Sequence, residues 1–190
     1  MNNMTIEYVA FLRGINVGGR RSVEMSKLET AFRSLGFQNV RTVLASGNVI
    51  FEGPKSDQAA MAEAIRAKME SALGLKSDVI LRTLSEIRKL AKSDPFKDCD
   101  VTPETKLYIA FLPHKSRSAA AYNYESPEKD IQIFGLARID VGAVLALSPS
   151  RGTTALLTIL DKQFGRNITT RSWATIQKIA ERRILGPAEK

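Results

Sequence analysis

The order of strand-like and helix-like segments in the first half of the chain restricts its fold more than any other feature. In order, the pattern gives a strand at 6–12, a helix at 26–35, strands at 40–44 and 49–51, a helix at 57–73 and a strand at 79–81. This order, β-α-β-β-α-β, is that of the ferredoxin-like split unit. The sequence therefore predicts an α+β protein whose N-terminal lobe, residues 1–92, is ferredoxin-like (βαββαβ).

A second lobe, residues 93–190, is predicted to start in the Ser93-Asp94-Pro95 loop, after a short amphipathic segment at 84–90. Its pattern gives strands near 107–112, 131–134 and 144–147, a hairpin near Gly135, and helices near 154–164 and 171–184. Residues 115–129 show no clear period and receive no assignment. We therefore expect a second, related α/β lobe that ends in two helices.

The single cysteine excludes an intramolecular disulfide and is typical of a protein in a reducing compartment. With 190 residues, of which 44% are hydrophobic, the chain can bury a core without staples. Cys99 is the one cysteine and has no CxxC partner, which fits a reducing compartment. The N-terminus lacks the basic region of a signal peptide, and no apolar run reaches the ~18 residues of a membrane span. We therefore expect a cytoplasmic protein that does not enter a membrane.

The chain is basic, and the excess of positive charge is concentrated at its C-terminal end. The formal net charge is +8, and residues 151–190 carry eight basic against three acidic side chains. Such a bias suits an acidic partner, either a small anionic ligand or nucleic acid, although many proteins of this charge bind neither. The charge alone does not decide between them.

The loop after the first strand, Arg13-Gly-Ile-Asn-Val-Gly-Gly-Arg-Arg21, is the first candidate site. Its glycines can expose backbone N–H groups beside guanidinium groups, a combination that suits an anion. It is not a P-loop, because an Arg-Arg pair replaces the required Lys and Ser or Thr, and the GxGxxG spacing also fails. The alternative to a ligand site is a flexible connection with solvated arginines. The predicted ligand contacts in this loop are Arg13, Asn16, Gly18 and Gly19.

The Ser46-Gly47-Asn48 segment between the two short strands is the second candidate. Taken alone it is a turn, because Gly and Asn tolerate positive φ and a serine hydroxyl bonds nearby backbone. In the ferredoxin-like topology, however, this turn and the end of the first strand share one edge of the sheet. We therefore predict one polar site made of Arg13, Asn16, Ser46 and Asn48.

The Asn167-Ile-Thr-Thr-Arg-Ser-Trp173 segment is the third candidate and is interpreted as a helix N-terminus capped by Thr169 or Thr170. Trp173 is expected to be a core anchor, whereas Arg171 in the first turn opposes the helix dipole unless an anion compensates. Arg171 is therefore a further predicted ligand residue. The last two helices also have the outline of a helix-turn-helix with basic residues, which keeps nucleic acid open as a partner.

Catalytic and metal-binding patterns are weak in this sequence. His114 is the one histidine and follows Pro113 at a strand end, where we expect it at the surface rather than acting as a base. The acidic residues around Cys99 match no EF-hand spacing and are interpreted as a solvated loop. No metal and no cofactor is expected, and no catalytic residue is identified.

Three separated motifs follow one another along the chain: Phe11-Leu-Arg-Gly-Ile-Asn-Val-Gly-Gly19, Ser46-Gly-Asn-Val-Ile-Phe51 and Thr169-Thr-Arg-Ser-Trp-Ala-Thr175. Together they make the chain resemble the domain of unknown function 1697 family over nearly its whole length. The resemblance implies a two-lobed, ferredoxin-like α/β architecture in bacterial cytosolic proteins, and no agreed activity comes with it. Family members tend to have an asparagine before the tryptophan, where this chain has Ser172.

The favoured functional hypothesis is that the first lobe binds a small anionic or phosphate-bearing ligand at its polar edge. Any chemistry there would be transferase-like and would depend on positioning and electrostatics, because no nucleophile–base pair is visible. The alternative is a nucleic-acid-binding protein that uses the basic C-terminal helices or a sheet face, with Tyr8 and Phe51 as the candidate stacking aromatics. A third interpretation is an interaction protein whose unpaired sheet edge pairs between chains. Whether the protein is an enzyme, and its oligomeric state, stay open.

Overall fold

The computed structural model describes residues 4–15, 23–113, 119–137, 140–146 and 153–182. Over these residues the chain is a mixed α+β protein with two antiparallel sheets and five helices. Four residues singled out in the sequence lie outside the described ranges: Asn16, Gly18, Gly19 and His114.

The first half of the chain forms a four-stranded sheet and three helices. Its elements are β1 (Thr5–Leu12), α1 (Met25–Arg33), β2 (Gln38–Thr42), β3 (Asn48–Pro54), α2 (Gln58–Leu73), β4 (Val79–Thr83) and α3 (Leu84–Ser93). The strand order is β2-β3-β1-β4, and each neighbouring pair is antiparallel. In this register Phe11 lies opposite Asn48, and Leu12 lies opposite Val79. The end of β1 therefore lies beside the starts of both β3 and β4.

The core of this half lies between one face of the sheet and the helices α1 and α2. Tyr8, Ala10 and Leu12 alternate along β1 and share a buried cluster with Phe32 of α1 and Ile65 of α2. Burial of each large apolar side chain contributes about 1.5–3 kcal/mol, so this cluster stabilises the packing of both helices on the sheet. The period of two in β1 and the helical spacing in α1 and α2 explain why these residues meet.

The second half forms a five-stranded sheet and two helices. Its elements are β5 (Thr105–Phe111), β6 (Asn123–Glu125), β7 (Ile131–Ala137), β8 (Asp140–Ala146), α4 (Thr153–Phe164), β9 (Thr169–Ser172) and α5 (Trp173–Ala180). The strand order is β6-β7-β8-β5-β9, with antiparallel neighbours throughout. Leu156 and Leu160 of α4 pack with Ile131 and Ile133 of β7 in a second buried cluster.

The prediction of a helix capped by Thr169 or Thr170 is wrong, because residues Thr169–Ser172 form strand β9. This strand pairs with β5, and Arg171 lies opposite Ile109. Helix α5 begins only at Trp173, where the Ser172 hydroxyl accepts a hydrogen bond from the backbone N–H of Thr175 at 3.3 Å. Two β-branched threonines favour the extended conformation, and Ser172 is the helix cap. Serine and asparagine are both good caps, so Ser172 can do here what an asparagine would do.

The hairpin predicted near Gly135 corresponds to the antiparallel pair β7–β8, in which Ala137 lies opposite Asp140, and Gly135 itself lies inside strand β7. The strand continues to Ala137, and Gly135 pairs with Val141 of β8. A Cβ atom on Gly135 would overlap the carbonyl oxygen of Ala119. The glycine is therefore required by the close approach of another backbone segment rather than by a turn.

Contacts between Cα atoms divide the chain into two compact units. The first unit is Met1–Ala91 with Gln177–Lys190, and the second is Lys92–Ile176. A hydrogen bond of 3.0 Å from Arg88 to the carbonyl oxygen of Arg182 joins the two parts of the first unit.

Candidate functional site

The candidate site begins at Arg13, the residue that follows β1. Its backbone N–H donates to the carbonyl oxygen of Asp78 at 3.0 Å, and the Ser77 hydroxyl donates to the Arg13 carbonyl oxygen at 2.8 Å. These two bonds join Arg13 to the segment that leads into β4. The backbone of Arg13 at the end of β1 is thus held by two hydrogen bonds, one from backbone to backbone and one from the Ser77 side chain.

A cavity of about 420 Å³ opens beside this junction. Its lining consists of Arg13, Gly14, Arg66, Lys76, Ser77 and Asp78. Three of these side chains are cationic and one is a carboxylate, so the lining itself carries a net positive charge. A cavity of this size fits a small ligand and is too small for a folded partner.

Two of the cations, Arg66 and Lys76, form ion pairs with glutamates of α2. Arg66 donates from Nε and Nη2 to both carboxylate oxygens of Glu63, at 2.9 and 2.5 Å, and its Nη1 lies 3.7 Å from Glu70. The Lys76 ammonium lies 3.1 Å from Glu70. The hydrogen bonds that Arg66 donates to Glu63, and then the charge of Glu63, raise the pKa of Arg66 above its ordinary value. The pairs are exposed and add little stability, but they restrict where the two cations point.

The Ser46-Gly47-Asn48 turn reaches the same edge of the sheet as Arg13. The backbone N–H of Leu12 donates to the Gly47 carbonyl oxygen at 2.8 Å, which joins the turn to the end of β1. The side chain of Asn48 is fully buried and donates to the Val43 carbonyl oxygen at 2.9 Å and to the Ser46 hydroxyl at 3.0 Å. Asn48 therefore closes the turn, and neither it nor Ser46 lines the cavity. A ligand role for these two residues stays a prediction.

Arg171 lies in the second unit and is nine-tenths buried in strand β9. Its Nη1 donates to the Thr169 hydroxyl and to the Thr170 carbonyl oxygen, both at 2.8 Å. Burial lowers the pKa of Arg171 from its ordinary value to about 10, so the guanidinium stays charged at neutral pH. The argument from a helix dipole does not apply, because Arg171 is not in a helix. Its role towards a ligand stays a prediction.

The sheet aromatics proposed for nucleic-acid stacking are not accessible. Tyr8 is 1% exposed and Phe51 is 0% exposed, and their rings stack on each other with centroids 5.6 Å apart. An RRM-like platform requires aromatic faces open to bases. Tyr8 and Phe51 are therefore core residues, and the sheet-face version of the nucleic-acid hypothesis is wrong for these two residues.

Within the described ranges, no group of three or more metal-ligating side chains occurs. Burial raises the pKa of the Cys99 thiol, and the charges of Asp98 and Asp94 raise it further. Cys99 is therefore a protonated thiol at neutral pH and a poor nucleophile. None of the helices in the described part of the chain has the length and apolar character that a membrane span requires.

Of the six cavity residues, the sequence interpretation named only Arg13 as a ligand contact and missed Gly14, Arg66, Lys76, Ser77 and Asp78. A signal for three of them was present, because β4 is antiparallel to β1 and its start must lie beside the end of β1. The Lys76-Ser77-Asp78 loop immediately precedes β4 and so had to meet Arg13. Arg66 gives no such signal, since its place depends on which side of α2 faces the cavity.

The two antiparallel sheets and the basic cavity at the end of β1 define an α+β protein with one candidate ligand site. The family of this protein follows from comparison with known sequences and structures. The chain belongs to the family described as "Protein of unknown function (DUF1697)", whose model matches residues 4–138. This confirms the resemblance seen in the sequence motifs. No match occurs among curated proteins.

A solved structure supports the fold. The conserved bacterial protein SP0830 from Streptococcus pneumoniae superposes with a TM-score of 0.71 at 21% sequence identity. The match covers 94% of this chain and 98% of that chain. At this identity the likeness establishes a shared fold and does not transfer a function.

Proposed function

We propose that this chain binds a small anionic, phosphate-bearing ligand in the cavity at the end of β1. The observation that carries the proposal is the convergence of Arg13, Arg66 and Lys76 on one cavity of about 420 Å³. Guanidinium groups bind phosphate through two parallel N–H donors, and a lysine ammonium adds a compact charge. Three such groups around one small space are an arrangement that favours a dianion.

Each side of the cavity has a separate part in this proposal. Arg13 is fixed through its backbone, so its side chain meets the ligand from a rigid element. Arg66 and Lys76 are oriented by Glu63 and Glu70 before the ligand arrives, which lowers the entropy lost on binding. A Cβ atom on Gly14 would meet nothing within 4 Å, so the ligand has room to approach the backbone there.

The acidic residues around the cavity favour a small ligand over a long polyanion. Asp78 lines the cavity, and Glu63 and Glu70 lie directly behind its cations. A compact phosphate in the cavity meets one carboxylate, that of Asp78, whereas an extended phosphodiester backbone would also pass Glu63 and Glu70. Asp78 is in addition an acceptor for a hydroxyl or amino group of the ligand.

Several broader features of the protein are part of the same proposal. The strand order β2-β3-β1-β4 with one helix after β1 and one after β3 supports a ferredoxin-like first lobe, proposed to span residues 1–92 with a second lobe at 93–190. A cytoplasmic location and transferase-like chemistry stay proposals that follow from the sequence alone. The alternative is a nucleic-acid partner bound by the basic C-terminal helices, and the experiment must distinguish it from a small anion bound in the cavity.

The test is thermal shift and calorimetric titration of the purified chain with inorganic phosphate, sugar phosphates and nucleotides. A ligand that binds only the folded state raises the melting temperature as its concentration exceeds Kd. Arg13→Ala and Lys76→Ala are each expected to weaken the affinity for the best ligand about tenfold or more, because each removes one charge-assisted contact. Lys55→Gln is the matched control, since Lys55 follows β3 at the opposite end of the sheet.

Two results would contradict the proposal. One is the absence of stabilisation by any small anion; the other is stabilisation that is equally strong in Arg13→Ala, Lys76→Ala and Lys55→Gln. Stabilisation by oligonucleotides alone, with a steep dependence on salt, would favour the nucleic-acid partner instead. Arg171→Ala, measured alongside, decides whether that residue contributes to the ligand.

A further inference from the structure

Strand β2 is an outer strand of the first sheet, and half of its backbone groups face away from that sheet. The backbone N–H of Val43, just after the strand, donates to the Asn48 carbonyl oxygen at 2.9 Å, and Arg41 pairs with Ile50. Because hydrogen-bonding groups alternate along a strand, the backbone groups of Val40 and Thr42 point outwards. Such outward groups are the template on which a strand from another chain can pair.

Two side chains of helix α1 occupy these outward groups. The Glu29 carboxylate accepts from the backbone N–H of Thr42 at 2.9 Å and from the Thr42 hydroxyl at 3.1 Å. Arg33 donates from Nη2 to the Val40 carbonyl oxygen at 3.0 Å. The two side chains also bind each other, with Arg33 Nη2 lying 2.8 Å from Glu29 Oε2.

The pair therefore offers strand β2 one acceptor and one donor, as a neighbouring strand would. Glu29 takes the place of a carbonyl oxygen opposite Thr42, and Arg33 takes the place of an N–H opposite Val40. The spacing of four residues along α1 lets both side chains reach the same strand. Side chains one turn apart on α1 thus bind two backbone groups of the edge strand, the Thr42 N–H and the Val40 carbonyl, that would otherwise face solvent.

We propose that Glu29 and Arg33 act as a guard on strand β2 that prevents this sheet from pairing edge to edge with a second copy of the chain. A second copy is the relevant partner because it presents the same edge in the same register pattern, so two exposed β2 strands can pair antiparallel about a two-fold axis. The β-bulge between Gln38 and Arg41 and the positive φ of Asn39, 49°, distort the start of the strand and leave Val40 to Thr42 as its regular part. The guard covers this regular part.

The guard can be removed without touching the core. The side chain of Arg33 is 53% exposed and that of Glu29 is 22% exposed, and neither belongs to the buried apolar cluster of this half. Val40, in contrast, is a core residue and is left unchanged. The double variant E29A/R33A exposes the outward groups of β2 while keeping the apolar face of α1.

Sedimentation velocity over a range of concentrations tests the proposal on the full chain. E29A/R33A is expected to self-associate with a dissociation constant about tenfold or more lower than that of the parent chain. The control E24A/K27A removes another ion pair of the same helix segment, 3.0 Å in length, that does not contact β2, and should behave as the parent. Adding T42P to E29A/R33A removes the outward N–H without affecting the bonds to β3, and should return the chain to the parental association.

Equal association of E29A/R33A and the parent, with the helical circular dichroism signal retained, would overturn the proposal. Tighter association that T42P does not reverse would also overturn it, because the new contact would then lie elsewhere. If E29A/R33A loses its helical signal, E29M/R33M nearly keeps the side-chain volumes while removing the carboxylate acceptor and the guanidinium donor, and it is measured in its place against the same two criteria.

Discussion

At the scale of single residues, the turn between β2 and β3 shows how two small residues fix the edge that carries the candidate site. Gly47 has φ of +73°, and Asn48 is buried with its amide bonded across the turn. A serine–glycine–asparagine run is a turn signal in any sequence. Its contact with Leu12 and Ile15 is visible only in the folded chain.

Gly47→Ala is expected to lower the free energy of unfolding by about 2–4 kcal/mol. One part of the cost is the left-handed backbone conformation, about 1 kcal/mol for a residue with a Cβ atom. The larger part is steric, because the new Cβ would lie 2.9 Å from Ile15 Cγ1 and 3.1 Å from Leu12 Cβ. Urea unfolding of the variant and the parent measures the difference.

Gly36→Ala is the matched control for Gly47→Ala. Gly36 also has a left-handed backbone, with φ of +85°, but a Cβ atom there would meet nothing within 4 Å. We expect it to cost only the conformational part, about 1 kcal/mol. Equal losses in the two variants would show that the contact of the turn with β1 is not tight.

At the scale of secondary-structure elements, the junction of α1 with β2 depends on a carboxylate. Burial alone raises the pKa of Glu29, but hydrogen bonds from the Thr42 backbone, from Arg33 and from the Thr42 hydroxyl together outweigh it. The pKa of Glu29 in the folded chain is therefore below its ordinary value. The ionised carboxylate, and not the acid, is the form that holds helix and strand together.

The pH dependence of stability tests this junction. A group whose pKa is lowered by folding stabilises the fold fully above its ordinary pKa, near 4.5, and loses this contribution as pH falls through the lowered value. The parent is therefore expected to exceed E29Q in unfolding free energy at pH 7, and the difference should shrink as the pH is lowered below 4.5. Urea unfolding of both chains across this range provides the measurement. A difference that stays constant would mean that the charge of Glu29 is not involved.

At the scale of the whole molecule, the net charge of +8 gives a general attraction for polyanions that differs from the proposed site. Such an attraction depends on salt, since binding releases counterions from the nucleic acid. The proposed site at Arg13 depends instead on three cations that line one small cavity within one unit. The two contributions can be separated by ionic strength.

We expect a 20-mer DNA duplex to bind the chain no more tightly than about 10⁻⁶ M at physiological salt, the range of non-specific binding. Fluorescence anisotropy at 50 mM and 200 mM salt checks this, and the affinity should fall steeply between them. Binding of inorganic phosphate should change far less over the same range, because few counterions are involved. Nanomolar duplex binding at physiological salt would contradict the expectation and support a nucleic-acid-binding role.

The sequence by itself determined the β-α-β-β-α-β order, the family and the place of Arg13, because each depends on local periodicity or on short motifs. It did not reveal strand β9, because threonine, the residue at positions 169 and 170, is found both in strands and at helix N-termini. Only the tertiary structure decided that Arg66 and Lys76 meet Arg13, and that Glu29 and Arg33 cover β2. These contacts join residues more than five positions apart, so strand register and helix rotation, which no local pattern specifies, determine which side chains meet.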